Sequence, residues 1–276
     1  MISEALRDWF EARHGGIVRA EDRSWSHGVT RVFELWTASE HLWLKQHTQA
    51  RKFDQELSAY LQWVPVLAEA GERAPGLIDR EPALRALVLT HLDGEPAPGD
   101  DPAIHRQAGA ALAALHAAPF VDHDPLTVRE AILARLERWS REAAGLVPAE
   151  VVARVNLEIG DAEVFAGARR VPCHRDFSPR NWLVHEGRFG LLDFEHAAPD
   201  LRWVDVMKLA DDTWRLPGTR DAFLDAYGRG WSEVDAQRIE RLSWLHALST
   251  WVWSAAHDDA AYLEHARRHY ARLVGV

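Results

Sequence analysis

A single cysteine, Cys173, occurs among the 276 residues of the sequence. An internal disulfide is therefore impossible, and chains without disulfides are typical of a reducing compartment such as the cytoplasm. No apolar run approaches the ~20 residues that a membrane-spanning helix requires. Basic residues are also few, because 32 Lys and Arg face 42 Asp and Glu and give a formal net charge of −10. Nucleic acids need basic patches, so we expect a cytoplasmic protein with neither a nucleic-acid nor a membrane partner.

Apolar residues make up 47% of the sequence, which is enough for a globular core. The acidic balance is compatible with a cationic small molecule, which an acidic cleft would attract and concentrate. The same charge is equally explained by solubility alone, so it favours a class of partner without defining one.

The periodicity of apolar residues changes at Asp93. Before this residue, the pattern predicts an amphipathic helix over 1–15, strands over 29–35 and 41–46 that a turn at 37–39 joins as a hairpin, a helix over 49–70 and a strand over 84–92. Breakers fill 93–99, and after them the sequence reads as helices around a few short strands between 171 and 193. Asp101 and Pro102 mark the start of the first of these helices, as N-cap and first helical residue. The sequence therefore predicts an α+β fold with a small β-rich lobe, a hinge and a larger, mainly helical lobe.

The most informative segment is an H-x-D-x-x-x-x-N motif over 174–181. A short apolar strand, a turn at 186–188 and a second apolar strand follow it, and Asp193 ends that strand. Phosphoryl transfer needs an Asp beside the attacking hydroxyl, and Asn and Asp oxygens that hold magnesium against the phosphates. Asp176, Asn181 and Asp193 are of these types, and the hairpin would return Asp193 to the motif. The alternative is a polar loop before an ordinary hairpin, which would suffice for any one of these residues.

This segment resembles the aminoglycoside phosphotransferase and choline kinase family, whose members are distant relatives of protein kinases. His174, Asp176 and Asn181 match the family's catalytic loop, and Asp193 matches its metal-binding Asp. The resemblance implies a protein-kinase-like two-lobed fold, with a nucleotide-binding lobe over 1–93 and a helical lobe over 94–276. It also implies Asp176 as the catalytic base and Asn181 and Asp193 as Mg²⁺ ligands. For Glu195 it leaves two options, contact with a second magnesium or solvation.

A kinase-like fold also needs a Lys on a small-lobe strand and a Glu on the next helix to hold it. Lys45 and Glu56 occupy these places in the sequence, although either could be an ordinary surface residue. By position, the loop around Ser26 and Gly28 would cover the phosphates of ATP or GTP. The linker between the lobes would bind the purine through the backbone around Thr90 and Leu92.

The acceptor of the phosphoryl group is expected to be a small molecule, because little chain separates Asp193 from the next helical pattern. In this family the acceptor site is built from C-terminal helices, which here carry Asp211, Trp214, Trp251 and Asp258. Trp244, Leu248 and Trp251 share one helical face, and a role as core is the simpler explanation of that stripe. An aromatic pocket with acidic rims would suit an amino sugar or another antibiotic.

The sequence therefore leaves three hypotheses for function. The first is an antibiotic O-phosphotransferase that confers resistance. The second is a metabolic kinase for choline, homoserine or a sugar. The third is an inactive nucleotide-binding module, against which the intact set Lys45, Asp176, Asn181 and Asp193 argues.

Overall fold

The computed structural model describes residues 1–25, 28 and 30–275. Within these residues the small lobe is a five-stranded antiparallel sheet with the strand order β1-β2-β3-β5-β4. Its strands are β1 Arg19–Asp22, β2 Thr30–Trp36, β3 His41–His47, β4 Leu77–Glu81 and β5 Ala86–Thr90. The helices of this lobe are α1 Glu4–His14, α2 Ala50–Gln62 and α3 Val64–Glu69.

The two faces of this sheet contact different parts of the molecule. Leu42 and Leu44 of β3 pack with Leu6 and Phe10 of α1 in one apolar cluster on the outer face. Since side chains alternate along a strand, Lys45 points to the opposite face. That inner face is the one that meets the large lobe.

The large lobe is mainly helical. Its helices are α4 Pro102–Ala117, α5 Val128–Glu142, α6 Ala149–Ile159, α7 Trp203–Asp211, α8 Thr219–Tyr227, α9 Glu233–Ala256 and α10 Ala260–Val274. Its strands are short, namely β6 Glu95–Pro96, β7 Arg170–Cys173, β8 Trp182–His185, β9 Arg188–Leu191 and β10 Ala198–Leu201. Strand β6 pairs with β8, so the chain joins the large lobe directly after Asp93. The predicted α+β, kinase-like fold class is confirmed.

Several local predictions are also confirmed. Strands β2 and β3 form a hairpin around 37–40, and Asp101 caps α4 by accepting a hydrogen bond from the backbone N–H of Ala103 at 2.8 Å. The helix expected over 49–70 is divided at Trp63, because Pro65 in the first turn of α3 cannot continue the hydrogen bonds of α2. Strands β1, β4, β6 and β10 were not predicted, since each is short and their sequences alternate weakly. Among the described residues, no helix has the length and apolar character to span a bilayer.

Candidate active site

Asp176 lies buried in the loop between β7 and β8, with cations on both of its carboxylate oxygens. Lys208 of α7 donates to Oδ1 at 2.5 Å, while Arg180 and the side-chain amide of Asn181 donate to Oδ2 at 2.5 and 2.9 Å. Burial alone would raise the pKa of Asp176, but Lys208 and Arg180 outweigh it and hold that pKa well below its usual range. Asp176 is therefore an ionised carboxylate at neutral pH, as a proton acceptor must be.

The backbone of this loop is fixed by Asp205, near the start of α7. The Asp205 carboxylate accepts hydrogen bonds from the backbone N–H groups of His174 and Arg175, at 2.9 and 2.5 Å. His116 of α4 also hydrogen-bonds this carboxylate, at 2.9 Å. Asp205 is therefore a structural tie between α7 and the catalytic loop. Arg175 has a φ of 64°, a conformation that non-glycine residues rarely adopt without such support.

Asn181 and Asp193 are brought together by the residue between β9 and Asp193. Leu192 donates its backbone N–H to the Asn181 carbonyl at 2.9 Å, and its own carbonyl is hydrogen-bonded by the His174 ring at 2.8 Å. The Asn181 amide nitrogen donates hydrogen bonds to the backbone carbonyl and to the carboxylate of Asp176. The amide oxygen of Asn181 is therefore the atom that a cation would contact. His174 thus supports the loop by hydrogen bonding.

Lys45 links the small lobe to this centre. Its ammonium donates to Glu56 Oε1 on α2 and to Asp193 Oδ1, each at 2.7 Å. Burial would lower the pKa of Lys45, but the charges of Asp193 and Glu56 raise it well above the usual range. Glu56 is fully buried and also pairs with His47 at 2.8 Å. The Lys–Glu pair expected from the sequence is present, and it points at Asp193 across the lobes.

The oxygen donors at this place fit a hard divalent cation. Magnesium prefers carboxylate and amide oxygens, which Asp193 and Asn181 would supply. Glu195 lies nearby, because the positive charge of Lys45 is close enough to lower the pKa of the Glu195 carboxyl group. Burial would raise the pKa of Glu195, but hydrogen bonding from His196 and the Lys45 charge lower it well below its usual range. Glu195 is therefore a charged carboxylate at the cleft, and a role as a further cation ligand stays a prediction.

The loop predicted to cover the phosphates and the linker predicted to bind the purine are placed only in part. Ser26 lies outside the described residues, whereas the backbone N–H of Gly28 donates to the Trp25 carbonyl at 3.0 Å. Thr90 ends β5, where its hydroxyl accepts from Gly76 N–H at 2.8 Å. Leu92 follows in the linker and approaches Gly190 of β9 so closely that a Cβ there would lie 2.9 Å from Leu92 Cδ2. The purine contacts of Thr90 and Leu92 stay predictions.

The residues predicted to bind the acceptor lie in different surroundings. Asp211 is paired with Arg272 at 2.5 Å, and Asp258 is exposed in a turn with a φ of 52°. Trp214 packs against Phe223, with ring centroids 5.3 Å apart, and Trp251 packs against Tyr270 at 5.9 Å. The stripe of Trp244, Leu248 and Trp251 is buried, so its simpler explanation as core is correct. Direct contact of these residues with an acceptor stays a prediction.

Sequence reasoning missed Lys208 and Arg180, which hold Asp176, and the contact between Trp25 and Trp253. The rings of Trp25 and Trp253 stack 5.6 Å apart, so the start of the loop predicted to cover the phosphates contacts α9 of the large lobe. Arg180 could have been found from its place in the motif, four residues after Asp176. Lys208 carries no such local signal, because it lies 32 positions after Asp176.

These features define a two-lobed, kinase-like phosphotransferase. The sequence profile described as "Phosphotransferase enzyme family" matches residues 24–237. The chain belongs to this family, and the resemblance seen in the catalytic segment is confirmed. A search of curated protein sequences gives no significant match.

Solved structures share the fold over nearly the whole chain. A thermostable mutant of aminoglycoside phosphotransferase APH(4)-Ia superposes with a TM-score of 0.78 at 16% identity, covering 98% of both chains. The GDP and kanamycin complex of APH(2")-IIia gives 0.77 at 14% identity, covering 99% of both. A choline/ethanolamine kinase family protein from Mesorhizobium loti gives 0.71 at 18% identity, covering 100% of this chain and 96% of the other.

Proposed function

We propose that the protein transfers the terminal phosphoryl group of ATP or GTP to a hydroxyl of a small-molecule antibiotic of the aminoglycoside type. The observation that supports this proposal most is that Lys45, the pair Asp176 and Asn181, and Asp193 come from three separate segments and meet at one cleft. Phosphoryl transfer depends on positioning and charge rather than on covalent catalysis, and this set supplies both.

Each residue has a distinct role in this reaction. Asp176 orients the acceptor's hydroxyl and takes its proton while the oxygen attacks the γ-phosphorus. Lys45, held by Glu56, neutralises the phosphates on the small-lobe side. Asp193 and Asn181 would hold magnesium, which when bound supplies positive charge against the phosphate oxygens.

Two observations favour a small, cationic acceptor. After Asp193 the chain reaches α7 at Trp203, so little chain remains to form a platform for a peptide. The net charge of −10 would attract a polyamine-bearing compound. Two structural neighbours were solved with such compounds, kanamycin in one and hygromycin B in the other.

The test is a panel of aminoglycoside, macrolide and peptide antibiotics incubated with the protein, magnesium and γ-labelled ATP or GTP. We expect label to appear on at least one aminoglycoside, and to be absent with Asp176→Asn. Expression in a sensitive host should then raise the inhibitory concentration of the same compound. If no antibiotic is labelled while the nucleotide is turned over, the antibiotic part of the proposal is wrong.

A metabolic acceptor is the second candidate. The similarity to a choline/ethanolamine kinase family protein favours it, and a quaternary or primary ammonium would suit the same acidic surface. Labelling of choline, ethanolamine, homoserine or a sugar in the same assay, without labelling of any antibiotic, would decide for this alternative. Nucleotide binding without transfer to any compound or to water would indicate the third hypothesis, an inactive module.

A further inference from the structure

The three lysines of this chain all lie at the cleft. The sequence contains three lysines against 29 arginines. Lys45 contacts Glu56 and Asp193, Lys52 contacts the Glu195 carbonyl and the His196 ring at 3.4 and 2.8 Å, and Lys208 contacts Asp176. Elsewhere in the described part of the chain, the ion pairs that have a lysine or arginine cation, such as Arg241–Glu158, use arginine. A lysine ammonium is a compact, mobile charge, whereas a guanidinium is a rigid fork, so the placement indicates a need for ammonium groups at this cleft.

Lys208 reaches Asp176 through the helix that fixes the catalytic loop. Asp205 and Lys208 are three residues apart on α7 and therefore lie on the same helical face. Asp205 holds the loop backbone, and Lys208 holds the Asp176 carboxylate. The Lys208 side chain retains 22% of its exposure, so it has room to move, whereas the Asp176 side chain retains 4%.

Both carboxylate oxygens of Asp176 accept hydrogen bonds in the resting site. Oδ2 is held by Arg180 and Asn181 from its own loop, and Oδ1 by Lys208 from another element. A catalytic base must offer an oxygen to the acceptor's hydroxyl within hydrogen-bond distance. Lys208 sits on Oδ1, so it is the group best placed to give way.

We propose that Lys208 is a catalytic residue that holds Asp176 Oδ1 in the resting site and moves to an oxygen of the γ-phosphoryl group when the triphosphate binds, which frees Oδ1 for the acceptor's hydroxyl. This inference rests on the function proposed above. In the step, the acceptor oxygen forms a bond to the γ-phosphorus, and the bond from that phosphorus to the β–γ bridging oxygen breaks. The electron pair leaves on the nucleoside diphosphate, and the hydroxyl proton passes to Asp176. The Lys208 side chain offsets the charge on the phosphoryl oxygens.

The first test compares Lys208→Met, Lys208→Arg and the control Arg241→Met, which removes a part-buried ion pair between α9 and Glu158 of α6. Two quantities are measured: the affinity for magnesium with a non-hydrolysable triphosphate, and the magnesium-dependent transfer of γ-phosphate from ATP or GTP to water. For Lys208→Met we expect affinity within about threefold of wild type and a rate about 100-fold lower, as for loss of one charge-stabilising donor. Lys208→Arg should recover part of the rate, and Arg241→Met all of it.

A Lys208→Met rate close to or above wild type, with nucleotide still bound, would overturn the inference and leave the proposed function intact. Wild-type protein that binds no magnesium nucleotide would overturn both.

The second test follows the lysine side chains of the wild-type protein, and a variant serves only to assign one signal. Protein labelled with ¹³C at the lysine ε-carbons should give three side-chain signals, with that of Lys208 assigned by its loss in Lys208→Arg. With magnesium present, a non-hydrolysable triphosphate should shift the Lys208 signal, whereas the diphosphate should shift Lys45 and leave Lys208 in place. Equal Lys208 spectra with the two nucleotides would contradict the proposed move to the γ-phosphoryl group.

Discussion

At the residue scale, the carboxylates of the cleft are each held by cations from a different part of the chain. Asp193 faces Lys45 of the small lobe, and Asp176 faces Lys208 of α7. Asp193 also adopts a φ of 64°, which costs on the order of 1–3 kcal/mol for a residue other than glycine. Such strain persists where surrounding contacts enforce it, and here Lys45 and the two Leu192 hydrogen bonds do so.

Replacing Lys45 by Met tests the small-lobe half of the site. Because fully buried Glu56 would lose its cation, we expect a loss of about 3–5 kcal/mol in the free energy of unfolding. We also expect much weaker binding of magnesium nucleotide. The double variant Lys45→Met, Glu56→Gln should recover much of the stability and none of the nucleotide affinity. Chemical unfolding and equilibrium binding measure the two effects, and nucleotide affinity restored in the double variant would contradict the role given to Lys45.

Asp205→Asn tests the support beneath the catalytic loop. The amide keeps the shape of the side chain but replaces one acceptor oxygen by a donor that faces a backbone N–H group. We expect a loss of about 2–4 kcal/mol in stability, as for buried hydrogen bonds to a charged group. Asp225→Asn is the control, because its pair with Arg106 is exposed and 3.4 Å long, and such pairs contribute about 0–1 kcal/mol. Equal stabilities of the two variants, measured by urea unfolding, would argue against this account.

At the scale of elements, helices α4 and α8 pack closely against each other in the large lobe. A Cβ at Gly109 of α4 would lie 2.3 Å from the Phe223 carbonyl oxygen of α8. The atom that it would meet belongs to the backbone and cannot rotate away. Gly109 therefore sets the distance between helices that also carry His116 and Tyr227, whose side chains hydrogen-bond at 2.7 Å beside Asp205.

Gly109→Ala is expected to destabilise the protein by about 1–3 kcal/mol, because overpacking outweighs the gain in helix propensity. Gly230→Ala is the matched control, since a Cβ at Gly230 would meet open space. Thermal unfolding of the two variants gives the comparison. A higher melting temperature for Gly109→Ala than for wild type would show that α4 and α8 pack less tightly than described.

At the scale of the whole molecule, several histidines are buried in the neutral form. Burial is the largest cause, and it lowers the pKa of each of His105, His116, His246 and His269. His269 lies among Asp211, Arg272, His265 and Arg215, and its pKa falls to about 4. An unfolded chain would take up protons at these positions near pH 6.5, before the folded chain does.

Stability should therefore fall as the pH drops from 7.5 to 5.5, because the unfolded state binds more protons in this window. His269 alone should contribute about 1 kcal/mol to the loss. Urea unfolding at the two pH values measures it, and His269→Gln should show a smaller difference between them, while the exposed His185→Gln keeps the wild-type difference. Constant or rising stability at pH 5.5 would contradict the neutral burial of these groups.

Some features could be predicted because they depend on residues that are close together in the sequence. These are the catalytic loop, the hairpin β2–β3 and the Lys45–Glu56 pair. A motif of eight residues places Asp176 and Asn181 together, and one strand with the following helix places Lys45 near Glu56. Lys208 could not be placed by the same reasoning, since its contact with Asp176 joins residues 32 positions apart and depends on how α7 docks. Strand β10 escaped prediction for a similar reason, because its pairing with β7 is long-range and its four residues include Pro199.

The central claim is that Asp176 serves phosphoryl transfer within a magnesium nucleotide site. The measurement that tests it most directly is the magnesium-dependent turnover of γ-labelled nucleotide by wild type and Asp176→Asn, with nucleotide affinity and circular dichroism measured on the same samples. We expect Asp176→Asn to be folded, to bind nucleotide with affinity within about threefold of wild type, and to turn it over about 100-fold or more slowly. A folded Asp176→Asn protein that transfers phosphate at the wild-type rate would contradict the account.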